Sequence, residues 1–299
     1  MIQCFAPAVE LPDMGMFSEM RLISASKMDF EFKSIHPRLL HKHAAFLEIL
    51  FVRNGKGVYS VNEERYSVSK GDVIINNANT LHDEEPNNSS NLNMYGITVS
   101  NLQISSFPPN TLIPPDTSPV FPAEEYTDHI EAIMAMIYTM LATEPEAYIK
   151  VCHYLTMALL SQLQLLIDRR TSQTGQEPRT NQDIVSMKIK NYIDSHYDEH
   201  FTLEDISREL YISPYYLSHI FKKTVGFSPM HYTIRRRLGE AQSLLIMTDK
   251  SITEIALSIG FGSQCQFYSM FKKYIGMSPG KYRETYGHNK EKPPEPKRK

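Results

Sequence analysis

Three histidines and a glutamate stand at spacings that could bring them together: His41 and His43 flank one residue, Glu48 follows His43 by five, and His82 lies further along. Alternate residues of a strand face one way, so the four could converge as three imidazoles and one carboxylate. That set could hold a transition metal, line a metal-free ligand pocket, or be strand polarity and nothing more. A second set lies in the C-terminal third: Tyr215, Ser218 and His219, then Ser263, Gln264, Gln266, Tyr268 and Ser269. Lys222, Lys223, Lys272, Lys273, Arg235 and Arg237 accompany it. Amides and hydroxyls can bond base edges while lysine and arginine meet phosphates, so this set suits a nucleic acid.

The first set needs strands. Between Phe46 and Leu81 short apolar runs (FLEILFV, GVYSVN, RYSVS, GDVIIN) alternate with turn signals at Asn54-Gly55, Asn62-Glu63 and Lys70-Gly71. A meandering β segment is expected there. Residues 105–122 are rich in Pro and Ser and read as an irregular connection. Two helices are expected over Tyr126–Ala142 and Glu146–Asp168. The second carries an apolar stripe, Tyr148, Val151, Leu155, Leu159, Leu163 and Leu166, which either packs on the strands or faces a second copy of the chain.

The second set needs helices, and an internal repeat supplies them. Leu203-Glu-Asp-Ile-Ser207 matches Ile252-Thr-Glu-Ile-Ala256, Phe221-Lys-Lys matches Phe271-Lys-Lys, and Val225-Gly-Phe-Ser-Pro229 matches Ile275-Gly-Met-Ser-Pro279. One inserted residue near Gly262 shifts the offset from 49 to 50. Each copy reads as two short helices about a tight turn: Leu203–Leu210 then Pro214–Thr224, and Ile252–Ile259 then Gln264–Tyr274. Ser213 and Ser263 are placed to cap the second helices. An apolar stripe, Leu217, Ile220 and Phe221 or Phe267, Met270 and Phe271, turns the polar residues outward, where the front half of each helix could enter a major groove. Met230–Met247 then forms a long connecting helix with Arg235 and Arg237 on its first half.

Charge is divided in the same sense. The net charge of −3 conceals 18 Lys+Arg against 13 Asp+Glu over residues 183–299, a surplus of five, and 13 against 21 over 1–182, a deficit of eight. The basic half is the one suited to a polyanion. Cys4, Cys152 and Cys265 are odd in number and far apart, which excludes a disulfide framework or zinc ribbon. No signal-peptide pattern and no apolar run of membrane length are present, so a cytoplasmic protein with no membrane partner is expected.

Residues 183–283 resemble the DNA-binding domain of the AraC/XylS family of bacterial regulators, on I-T-E-I-A at 252–256, G-F at 260–261, the F-K-K and G-M-S-P runs and the closing K-Y-R at 281–283. The first unit departs at its turn, where Tyr211-Ile212 replaces Gly-Phe; a left-handed tyrosine there would cost about 1 kcal/mol. Ser269 stands where the family often has a basic residue. In the first half, His41-x-His43, Glu48 and Gly55, then Gly71 and His82, resemble the two cupin motifs, with Ile35 in place of a glycine and Asn77 and Asn79 in place of proline and glycine.

The resemblance implies an α+β chain: a cupin-like β-barrel sensor over 1–122, a helical packing or dimerisation segment over 123–170, a linker over 171–182, a tandem helix-turn-helix domain over 183–285 and a disordered tail over 286–299. It implies double-stranded DNA and RNA polymerase as partners, a homodimer, an unidentified small-molecule effector in the barrel around His41, His43, Glu48 and His82, and no catalysis or cofactor. The rival is an enzyme, an oxygenase or isomerase using those four residues on iron or manganese.

Overall fold

The computed structural model describes residues 2–5, 19–29, 39–62, 64–84, 90–104, 107–114, 117–171 and 181–287. Two compact units divide the chain, Met1–Ile184 and Val185–Lys299. The expected disordered tail from 288 onward, Ile35, and residues 172–180 of the expected linker lie outside the described residues.

The first unit is built on one eight-stranded antiparallel sheet. Its strands are β1 (Ile2–Phe5), β2 (Arg21–Met28), β3 (Leu47–Val61), β4 (Glu64–Ser69), β5 (Asp72–Asn76), β6 (His82–Glu84), β7 (Ser90–Ser100) and β8 (Val120–Pro122). The long β3 is the spine: β5 and β4 pair along it, and so do β7 and β6. Asn54-Gly55, expected as a hairpin turn, instead lies inside β3, where the pairing with β7 shifts register on both sides of Asn54 and Gly55 takes φ 85°. Such a bulge moves the alternation by one residue. Hence Leu50 and Val52 before it share a buried cluster with Tyr59 and Val61 after it. Asn62 and Gly71 do mark turns, both with positive φ.

The opposite face, carrying Leu47, Ile49, Phe51, Val73, Ile75 and Ile97, packs with two helices, α1 (Thr127–Thr143) and α2 (Pro145–Thr171). Asparagine side chains pin the connections. Asn77 accepts from the amides of Leu112 and Ile113 and donates to the Ile113 carbonyl, and Asn110 accepts from Leu102 N–H and donates to the Ala45 carbonyl. Asn79, like Asn110, adopts the left-handed backbone that asparagine tolerates. Both departures from the cupin pattern that fall on described residues therefore have local structural roles.

The second unit is helical: α3 (Asn181–His196), α4 (Leu203–Leu210), α5 (Pro214–Val225), α6 (Pro229–Met247), α7 (Ile252–Ser258), α8 (Gln264–Ile275) and α9 (Pro279–Tyr286). The repeat is visible in its caps. Thr202 and Ser251 each form a reciprocal capping box with the acidic residue three positions on, Asp205 and Glu254. Ser213 and Ser263 cap α5 and α8, and left-handed Gly226 and Gly276 end them. Phe221 meets Tyr232 edge to face at 5.5 Å, and Phe271 meets Tyr282 at the same 5.5 Å. None of the described helices is long and apolar enough to cross a membrane.

Candidate functional site

In the second unit, Leu217, Ile220 and Phe221 of α5 and Phe267 and Phe271 of α8 are buried, with Met270 half-buried. That stripe turns the remaining positions to solvent. Tyr215 is 81% exposed and its ring stacks on His219, with Ser218 half-buried beside them. On α8, Gln264, Gln266 and Ser269 are exposed and Tyr268 is half-buried. The Thr253 hydroxyl donates to Gln264 Oε1 at 3.0 Å, so the Gln264 amide nitrogen is the group left to donate outward. Ser263 spends its hydroxyl on capping, accepting from Gln266 N–H. Lys222, Lys223, Lys272 and Lys273 are exposed in the last turns, where cations also complement the helix dipole.

Arg235 and Arg237, expected at the phosphate surface, are instead engaged inside the unit. Arg235 is buried with its guanidinium 4.7 Å from the Phe227 ring. Arg237 donates through Nε to the Tyr197 carbonyl and through Nη2 to the Glu199 carbonyl, both at 2.6 Å, and lies over the Phe261 ring. Arg236, between them, is fully buried, paired with Glu240 at 2.9 Å and seated over Tyr197. A basic triplet on a helix of 19 residues reads as an exposed face only if that helix is half-solvated. Most of α6 is buried, and its arginines brace the unit instead.

The first unit brings His41, His43, Glu48 and His82 together: one donor atom from each, all within 4.8 Å of one another. Several elements position them. Glu48 sits on β3 opposite Asn76 of β5, whose side-chain amide donates to Glu48 Oε2 and to the Tyr59 hydroxyl, both at 3.0 Å. His41 pairs with His82, the first residue of β6, in an isolated antiparallel bridge. Their rings lie 4.3 Å apart, and His43 is 4.9 Å from His41. His82 Nε2 approaches Glu48 Oε2 to 3.1 Å. Burial alone would raise the Glu48 carboxyl; contact with His82 and the charges of His82 and His43, with the Asn76 bond, hold it down to about 2.

The apolar stripe expected on the second helix is rotated. Leu159, Leu163 and Leu166 are buried, but Tyr148 and Val151 are exposed, Val151 by 42%, and Ile149, Cys152, Leu160 and Ile167 complete the packed face. The expected stripe thus mixes two faces of α2. The exposed one also carries Tyr154 and Leu165. Sequence reasoning also missed the partners of the histidine site, Asn76 and Tyr59; Asn76 is legible only as a polar residue closing an apolar strand.

Comparison with known proteins follows the same division. Residues 22–147 match the family described as AraC-like ligand binding domain, and residues 206–285 match one described as helix-turn-helix domain. Over 253 residues the chain is 24% identical to the uncharacterized HTH-type transcriptional regulator YdiP of Escherichia coli K12, covering 82% of this chain and 81% of that one. Over 284 residues it is 25% identical to the melibiose operon regulatory protein of the same strain, covering 86% of this chain and 88% of that one. Among solved structures, the C-terminal domain of AraT, a response regulator from Geobacillus stearothermophilus, is 32% identical, covering 38% of this chain and 95% of that chain at a TM-score of 0.36.

Proposed function

The chain belongs to the AraC/XylS family of transcription regulators, with an AraC-like ligand-binding domain and a helix-turn-helix DNA-binding domain, and on that premise we propose how it meets DNA. Helices α5 and α8 enter successive major grooves on one side of a duplex. Tyr215, Ser218 and His219 read the first, and Gln264, Gln266, Tyr268 and Ser269 the second. Lys222, Lys223, Lys272 and Lys273 contact the flanking phosphates. The observation that carries this reading is the pair of matching helices, each with one buried stripe and an exposed polar front half ending in two lysines. Helix α6, 19 residues at about 1.5 Å each, gives a strut of about 28 Å, comparable to the roughly 34 Å turn that separates successive grooves.

The first unit supplies control. A small molecule seated against His41, His43, Glu48 and His82 biases the arrangement that binds DNA, by as much as it prefers one state over another. The exposed apolar face of α2, with Tyr148, Val151, Tyr154 and Leu165, is where two copies pair. RNA polymerase is the further partner on DNA, the compartment is the cytoplasm, and no catalytic step is needed.

Selection of duplexes from a random pool by the full chain tests the reading. Two short preferred blocks centred about one duplex turn apart are expected. Failure to enrich any sequence, or enrichment of a single block unaffected by Gln264→Ala, would overturn it.

A further inference from the structure

We propose that Thr253 is a positioning residue that sets sequence specificity: by holding the side-chain amide of Gln264 it makes α8 favour guanine over adenine at one base pair, a role that rests on α8 reading a major groove.

The Thr253 hydroxyl donates to Gln264 Oε1 at 3.0 Å, across the turn between α7 and α8. Both residues stand in the first turn of a capped helix. Ser251 and Glu254 cap each other on either side of Thr253, and the Ser263 hydroxyl accepts from Gln266 N–H on either side of Gln264. The buried Phe261 of the turn packs on the buried Phe267 of α8, ring centroids 5.4 Å apart. The backbone is therefore fixed at both ends of the bond.

What the bond does to base reading follows from the shape of the amide. Its oxygen accepts and its nitrogen donates two hydrogens, and the two atoms point to different sides of the group. Glutamine grips adenine by using both at once, Oε1 accepting from N6 and Nε2 donating to N7. Here Oε1 is turned to α7, so Nε2 and its hydrogens face outward. Guanine presents two acceptors in the major groove, N7 and O6, and suits a donor alone; the N6 hydrogens of adenine would meet another donor. A donor left facing a donor in a desolvated contact costs more than a satisfied hydrogen bond contributes in water.

In the first unit the matching positions, aligned on the helix caps, are Glu204 and Pro214, and proline has no side-chain amide to hold. Gln266, exposed like Gln264, is not tied in this way among the described residues and keeps both atoms of its amide for a base. The bond between Thr253 and Gln264 thus acts on one base pair, and Gln266 serves as its control.

The test is selection of duplexes from a random pool by the full chain, followed by affinity ratios for duplexes differing at one base pair, in the parent and in Gln264→Ala, Thr253→Val and Thr253→Ser. The base pair read by Gln264 is the one whose preference Gln264→Ala erases, and guanine is expected there in the parent. Thr253→Val keeps the shape of the side chain and removes its hydroxyl, so the adenine-to-guanine affinity ratio at that base pair should rise at least about fivefold, with the other positions unchanged. Thr253→Ser, which keeps the hydroxyl, should retain the parent ratio, and Thr253→Val added to Gln264→Ala should change nothing further. Adenine preferred by the parent at that position, or a ratio that Thr253→Val moves by less than about twofold, overturns the role of Thr253 and leaves the DNA reading standing. If Gln264→Ala alters no position, α8 does not read DNA through Gln264, and the role of Thr253 falls with it.

Discussion

His41 and His82 exchange both backbone hydrogen bonds, His41 N–H to the His82 carbonyl at 3.1 Å and the reverse at 2.9 Å, while their rings lie 4.3 Å apart. The two residues are far apart in sequence, so this pair closes a long loop and sets the spacing of the imidazoles. Amide hydrogen exchange should show both positions protected together, slower than the backbone at exposed Ala44, between His41 and β3. Exchange of His41 N–H at the rate of an open chain would remove the bridge from the account.

The two helix-turn-helix turns differ at one left-handed residue. Tyr211, 95% exposed, has φ 54°, and Gly260 at the matching position has φ 82°. Tyr211→Gly should raise stability by about 1 kcal/mol, seen as a higher melting temperature, because the side chain loses no packing. Gly260→Ala should lower it, since a Cβ there would stand 2.7 Å from the Asp198 carbonyl oxygen and 2.9 Å from Arg237 Nη2.

Arg236 is a stability residue by its surroundings. Its ion pair with Glu240 is buried, so Arg236→Ala should cost about 3 kcal/mol in denaturant unfolding. Lys222→Ala, at an exposed helix end, should stay within about 0.5 kcal/mol of the parent. Equal effects would contradict the bracing role of α6.

His153 on α2 is fully buried, neither ring nitrogen has a hydrogen-bond partner among the described residues, and burial holds its pKa below the ordinary 6.5. The unfolded chain therefore takes up the proton first. Stability from this group is full above pH 6.5 and is lost as pH falls through 6.5 towards the folded value, by no more than about 1.4 kcal/mol per pH unit. His153→Leu should flatten that part of the melting profile between pH 7 and 5. An unchanged profile would show that His153 takes up its proton equally in the folded and unfolded states over that range.

Much of the second unit is legible in the residues because its signals are local. Ser213, Ser263, Gly226 and Gly276 cap helices through neighbours three or four positions away, and the repeat doubles each signal. The engagement of the α6 arginines inside the unit is not legible, because burial on a helix flanked by other helices depends on contacts distant in sequence, Tyr197, Glu199 and Phe261 among them. The bulge at Gly55 is hidden for the same reason: Asn-Gly writes a hairpin turn unless a partner strand, here β7, continues past it. His41, His43, Glu48 and His82 were readable as a set, but Asn76 and Tyr59, which orient Glu48, carry no motif of their own.

Salt dependence of duplex binding by the full chain tests the central reading most directly. The logarithm of the binding constant should fall linearly with that of salt concentration, and Lys222→Ala and Lys272→Ala should each reduce the slope by about one without changing the preferred sequence. A slope near zero, or one that neither substitution alters, would contradict it.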